Sequence, residues 1–181
     1  MSESAQTAVL VIDVQRGLFD DSPRPYEADE VIERINALTA RARAAGAPVV
    51  LIQHERAEGF LAAGSPSWAL VAALHVEPGD RLIRKRTPDS FLGTDLQPWL
   101  VEQGVARVIV CSYATEFCVD TTTRRAAALG YDVVLAADAH TTLDKDHAPA
   151  ARIRAHHNWT LANITSFAGK IAAVPAAIAF G

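Results

Sequence analysis

Three residues far apart in the chain have the types needed to attack a carbonyl: an acid, Asp13, a cation, Lys85, and a thiol, Cys118. If Thr115 caps a helix, Cys118 takes its N3 position, where free backbone N–H groups and the helix dipole favour a thiolate. A lowered thiol pKa makes a nucleophile; the plainer alternative is a small apolar side chain packed under the helix. Asp13 follows an apolar run, as a cap for the next turn or as a base. Phosphoryl transfer through such an aspartate asks for a second acid two residues on to hold magnesium, and Gln15 stands there instead. Lys85 lies in Arg84-Lys85-Arg86. Alternate residues of a strand face opposite ways, so one of these cations can be aimed at a crevice while its neighbours face elsewhere.

The elements that must bring these groups together are legible as an alternation. Ala8–Ile12 is a continuous apolar run, as expected for a strand covered on both faces of a parallel sheet. Val31, Ile35, Leu38, Ala42 and Ala45 recur at helical spacing until Gly46 and Pro48. Val49–Ile52 predicts the next strand, followed by a loop-rich stretch with a helical turn near Trp68–Leu74 and a short strand at Arg81–Arg84. Thr94 with Gln97 forms a capping-box pattern for a helix ending at Gly104. Arg107–Cys111 predicts a strand, Thr115–Leu129 a helix and Asp132–Ala136 a strand. Right-handed crossovers then give a parallel sheet, with chemistry in the crevice beyond the carboxyl ends of its strands. Asp13, Gln53 to Glu55, Lys85, Ser112 to Cys118 and Ala137 to His140 are all expected on that rim.

Composition narrows the function. The chain has 181 residues, 50% hydrophobic and 21% charged, enough for one domain with its own core. A net charge of −4 disfavours a phosphate backbone as partner, so nucleic acid is not expected. No apolar stretch approaches a membrane span and the N-terminus lacks the pattern of a secretory signal, which predicts a cytoplasmic protein. Its only cysteines, Cys111 and Cys118, are too close for a useful bridge and are read as reduced thiols, Cys111 as inert packing. Phosphate-binding loops of the G-x-x-x-x-G-K and G-x-G-x-x-G types are missing. Adjacent His156 and His157 would point about 100° apart on a helix and so are read as structural or interfacial rather than as a ligand pair.

Val11-Ile12-Asp13-Val14-Gln15, Lys85 with Asp89-Ser90-Phe91, and Ala114-Thr115-Glu116-Phe117-Cys118-Val119 together resemble the motifs of the isochorismatase-like cysteine hydrolases, which include nicotinamidases, N-carbamoylsarcosine amidohydrolases and isochorismatases. The resemblance implies a three-layer α/β fold, a doubly wound six-stranded parallel sheet with helices on both faces, assembled as a dimer or tetramer. It implies that Cys118 attacks a carbonyl, Asp13 takes its proton and later gives one to the leaving amine, and Lys85 stabilises the ionised pair. It implies a cis peptide at Tyr113–Ala114 and an oxyanion hole from the Ala114 and Cys118 amides. Many members have glycine where this chain has Ser112.

Nicotinamidases of this family hold a metal through an Asp and two histidines beyond the second strand; Gln53-His54-Glu55 stands there instead, so neither metal nor other cofactor is expected. His54 and Glu55 are read instead as lining a small-molecule pocket, with Gln15 and Thr115 beside the motif residues and Phe19, Trp68, Tyr113 and Phe117 as apolar walls. Three functions stay open: a thiol-dependent amidase, a vinyl-ether hydrolase of the isochorismatase type, and a non-catalytic binder or redox-sensing thiol. Cys118 favours the first, because enol-ether cleavage needs no covalent nucleophile. A sensor would want an accessible resolving thiol, which Cys111 on a buried strand does not supply.

Overall fold

β1 (Thr7–Ile12) is buried at every position, and its side chains divide between two faces by simple alternation. Val9 and Val11 pack with Val49 and Leu51 of β2 (Val49–His54) on one side, while Ala8, Leu10 and Ile12 pack with Val50 and Ile52 on the other. The computed structural model describes residues 7–180. The N-terminal stretch read above for a secretory signal begins outside them.

β3 (Arg81–Lys85), β4 (Arg107–Tyr113), β5 (Asp132–Thr141) and β6 (Ile171–Val174) complete a six-stranded sheet of order β3-β2-β1-β4-β5-β6, with every pair parallel. Besides the single turn α1 (Arg16–Phe19), helices α2 (Ala28–Ala44) and α6 (Ala176–Ala179) cover one face, and α3 (Leu96–Glu102), α4 (Asp120–Ala128) and α5 (Ala150–Ala162) cover the other. This is the expected three-layer, doubly wound architecture. The chain runs outward from β1 to β3 and then returns to place β4 against β1, so the switch point lies between the ends of β1 and β4. Asp13 and Cys118 follow those two strands. Among the described residues no helix is long and apolar enough to cross a membrane.

Local expectations differ in four places. The Trp68–Leu74 stretch is not helical, because its backbone pairs with the exit of β1: Arg16 donates to the Ala69 carbonyl at 2.8 Å and Val71 to that of Val14 at 3.1 Å. Helix α3 starts at Leu96 with no side-chain cap from Asp95; the Thr94 hydroxyl accepts from the Leu96 amide at 3.3 Å and donates to the Ser90 carbonyl at 2.7 Å. β5 runs on to Thr141, carrying Asp138, Ala139 and His140 inside the strand rather than in the turn after it. Residues Thr115–Val119 form a π turn that leads into α4, with Ala114 and not Thr115 at the cap position. Cys118 is therefore not at N3.

Candidate active site

Lys85 ends the edge strand β3, whose exposure alternates as the pleat demands. Arg84 and Arg86 face solvent, and the Lys85 side chain is fully buried. It runs inward over the end of β2 to Asp13, two strands away, and its ammonium donates to Asp13 Oδ2 at 2.8 Å. The same nitrogen lies 3.3 Å from Cys118 Sγ and 3.3 Å from His54 Nδ1. An ammonium has three hydrogens and no lone pair, so all three are used and Nδ1 of His54 must accept, leaving the ring hydrogen on Nε2. Burial and the Lys85 charge both lower the His54 pKa, which keeps the ring neutral.

Asp13 sits just past β1 with φ +56°, the left-handed region that Asp tolerates better than most residues. Its amide donates to the Ile52 carbonyl at 2.8 Å and its carbonyl accepts from Gln15 at 2.9 Å, which anchors the turn. Oδ1 is buried and has no hydrogen-bond partner among the described residues. Asp13, His54 and Cys118 each offer a ligand atom within 4.8 Å of the others, close enough to share a metal ion. However, the Lys85 ammonium already lies within hydrogen-bonding distance of all three. A metal there would meet a fixed positive charge, so these residues do not fit one.

Cys118 is pushed up to about 12, chiefly by burial and then by the Asp13 charge; Lys85 acts in the opposite direction but does not outweigh them. The resting group is a thiol, not the thiolate expected from the sequence. Cys111 lies wholly within the core against the Leu10 carbonyl, and burial raises its pKa further. At the head of the π turn the Ala114 carbonyl receives the amides of Phe117 and Val119, both at 3.1 Å, and passes over that of Cys118. The Tyr113–Ala114 peptide is cis, and Ser112 before it has φ +99° with its hydroxyl buried and without a hydrogen-bond partner among the described residues. That conformation suits glycine better than serine.

Several residues read as pocket walls have other occupations. Gln15 is fully buried and clamps β2 to the loop after it: its Nε2 donates to the carbonyls of His54 and Trp68, both at 2.9 Å, and its Oε1 accepts from the His54 amide at 2.9 Å. Phe19 lies inside the core with its ring set edge-on against Tyr113, 5.7 Å between centroids. Glu55 pairs with Arg86 at 3.1 Å and Arg84 at 3.8 Å and lines a cavity with both and with Lys85. Thr115 is buried with its hydroxyl on His140. Tyr113 and His54 are half-buried and Phe117 is exposed. The rings of His156 and His157 meet edge-on, 5.4 Å between centroids, with His156 hydrogen-bonded to Thr160 and His157 to the Ile153 carbonyl. Residue spacing gave no sign of the Thr115–His140 contact, which depends on an irregular pairing of β4 and β5.

The chain matches the isochorismatase domain model over residues 7–166. A streptothricin hydrolase of Streptomyces noursei is 39% identical over 178 residues, covering 93% of this chain and 64% of that relative. A ureidoacrylate amidohydrolase of Stutzerimonas stutzeri is 28% identical over 213 residues, covering 96% of this chain and 86% of the relative. The crystal structure of an isochorismatase family protein has a TM-score of 0.85 at 36% identity, covering 93% of this chain and 98% of that one. With the six-stranded parallel sheet and the buried Asp13–Lys85 pair beside a thiol, these likenesses place the chain in the isochorismatase-like cysteine hydrolase family.

Proposed function

We propose that the protein hydrolyses an amide-type C–N bond in a small molecule through a thioester on Cys118. The carrying observation is the convergence of Asp13 Oδ2 and Cys118 Sγ on one buried ammonium, at 2.8 and 3.3 Å. With the thiol near 12, a standing thiolate is too rare to attack, so the proton must leave as the S–C bond forms. Asp13 is the acceptor, because Oδ2 is held by Lys85 while buried Oδ1 is unpaired. The carbonyl oxygen takes up negative charge beside the Ala114 and Cys118 amides. The C–N bond then breaks as Asp13 returns the proton to the departing nitrogen. Water, deprotonated by Asp13, attacks the thioester, and the acid product leaves with Cys118 again a thiol. Lys85 holds Asp13 Oδ2 by a hydrogen bond and balances charge on sulfur as it develops.

Amide cleavage is the class named by the ureidoacrylate amidohydrolase relative and hydrolysis that named by the streptothricin hydrolase relative, which supports carboxamides, ureido acids and lactam-type antibiotics as the substrate class. The test is a panel of such compounds, including streptothricin and ureidoacrylate, scored by mass spectrometry for gain of one water. Turnover by the native chain, unchanged by a chelator and absent in Cys118→Ala, is expected. Hydrolysis that survives in Cys118→Ala would overturn the covalent route and point to acid–base cleavage of the enol-ether type.

A further inference from the structure

His140 is fully buried near the end of β5, and both of its ring nitrogens are engaged. Nδ1 lies 2.9 Å from Thr115 Oγ1, and Nε2 lies 2.8 Å from Asn158 Oδ1 on α5. The proton positions follow from the far end of this chain. Asn158 Nδ2 donates to the Ala137 carbonyl at 2.9 Å, so Oδ1 is the amide's acceptor. Nε2 of His140 must then carry the hydrogen, Nδ1 must accept, and the Thr115 hydroxyl must donate.

A strand irregularity brings these groups together. Between the pairs Val110–Leu135 and Ser112–His140, β4 advances two residues while β5 advances five, and this sets His140 level with the residues that enter the π turn. Thr115 is the first residue of that turn, and Cys118 is carried three residues on.

We propose that His140 is a positioning residue: held as its Nε2–H tautomer by Asn158, it fixes the Thr115 hydroxyl and with it the π turn that presents Cys118 to Asp13 and Lys85. This rests on the reading of Cys118 as nucleophile. A π turn is a rare and locally weak conformation that tends to occur at functional sites. Here the side chain that opens it is tied through β5 to α5, a rigid support independent of the substrate. Burial also holds His140 near 4, so Nδ1 remains an acceptor through neutral and mildly acidic conditions.

Paired substitutions separate positioning from bulk stability. Thr115→Val removes the hydroxyl at equal volume and Thr115→Ser retains it. His140→Asn places an amide oxygen where Nδ1 was, and His140→Gln places its amide toward Asn158 and leaves Thr115 without an acceptor. For each variant we would measure kcat and KM on the best substrate of the panel, the iodoacetamide labelling rate of Cys118, and urea stability. A displaced nucleophile costs rate steeply, so Thr115→Val and His140→Gln are expected to lose about tenfold or more in kcat and to slow labelling, with KM little changed. Thr115→Ser and His140→Asn should stay within about threefold of the native rate on the same reasoning.

Equal kcat and labelling in Thr115→Val and Thr115→Ser, or losses that simply follow stability across the set, would overturn the inference. If the His140 variants fail to fold, the Thr115 pair decides alone. Cys118→Ala is run alongside. Activity retained there removes the proposed function, while an inactive Cys118→Ala with a fully active Thr115→Val removes only the role of His140.

Discussion

Replacing Asp13 by Asn should make Cys118 more reactive and the enzyme nearly inert. Asn accepts the left-handed backbone that Asp13 adopts at φ +56°, so the fold is retained. The substitution removes one negative charge, with a carboxylate oxygen within 4.8 Å of the sulfur. At that separation and an effective dielectric near 20, two unit charges interact by about 3 kcal/mol, or about two pH units of thiol ionisation. The Cys118 pKa, about 12 with Asp13 as its second-largest cause, should fall by that amount. A less basic thiolate is a poorer nucleophile, with a Brønsted slope of about 0.45, so of a roughly hundredfold gain in thiolate about tenfold should remain as faster alkylation. Turnover moves the other way, because loss of the proton acceptor costs about 10²- to 10⁴-fold. Iodoacetamide labelling of the Cys118 peptide, followed from pH 6 to 10 beside hydrolysis of one substrate, reads both. If labelling and turnover fall together in Asp13→Asn, or labelling does not change, Asp13 does not control the thiol and the proton-transfer scheme is wrong.

Lys85→Met leaves the Asp13 carboxylate buried without its 2.8 Å partner, a change that typically costs about 3–5 kcal/mol. Urea unfolding should show that loss and partial recovery in Lys85→Met/Asp13→Asn; a loss below about 1 kcal/mol would mean the pair is more hydrated than its burial implies. Ser112→Gly should stabilise the protein by about 1–2 kcal/mol, since it relieves φ +99° and removes an unpaired buried hydroxyl; a lower melting temperature would contradict this. His140 gives a pH dependence of definite sign. Its folded pKa is near 4 against an ordinary 6.5, lowered first by burial and then by Arg154 and His157, while its Asn158 bond and Asp138 act to raise it. Between those values the unfolded chain binds a proton that the native state refuses, so stability is lost as pH falls from 6.5 to 4. The native chain should lose about 3 kcal/mol more than His140→Asn over that range, and parallel curves would refute the burial of a neutral imidazole.

The sheet was legible because its central strands are unbroken apolar runs, and the alternation of those runs with helices leaves few topologies. Lys85 was legible for the same reason, since the pleat sends Arg84 and Arg86 outward when Lys85 turns in. The errors share a cause in backbone that departs from period. A π turn shifts the phase of Cys118 from the position that a regular helix assigns, and the extra residues in β5 bring His140 to Thr115 without leaving a repeat to read. Electrostatic rank was equally hidden. The helix terminus and Lys85 favour a thiolate, but only the folded arrangement shows burial and Asp13 outweighing them. The partners of Gln15 and Glu55 were hidden for a related reason: rim position says nothing about whether a polar group is already engaged, and the main chain of β2 holds Gln15 while Arg84 and Arg86 face Glu55.

The central claim is that the C–N bond is broken by a covalent bond to Cys118. Its most direct measurement is the intact mass of enzyme quenched in acid within the first turnovers of a compound it hydrolyses. The expected spectrum shows the chain heavier by the acyl portion of that compound, with the added mass mapped to the peptide containing Cys118 and missing from Cys118→Ala. Hydrolysis that proceeds in Cys118→Ala at the native rate, with no acyl mass at any time in either protein, would contradict it.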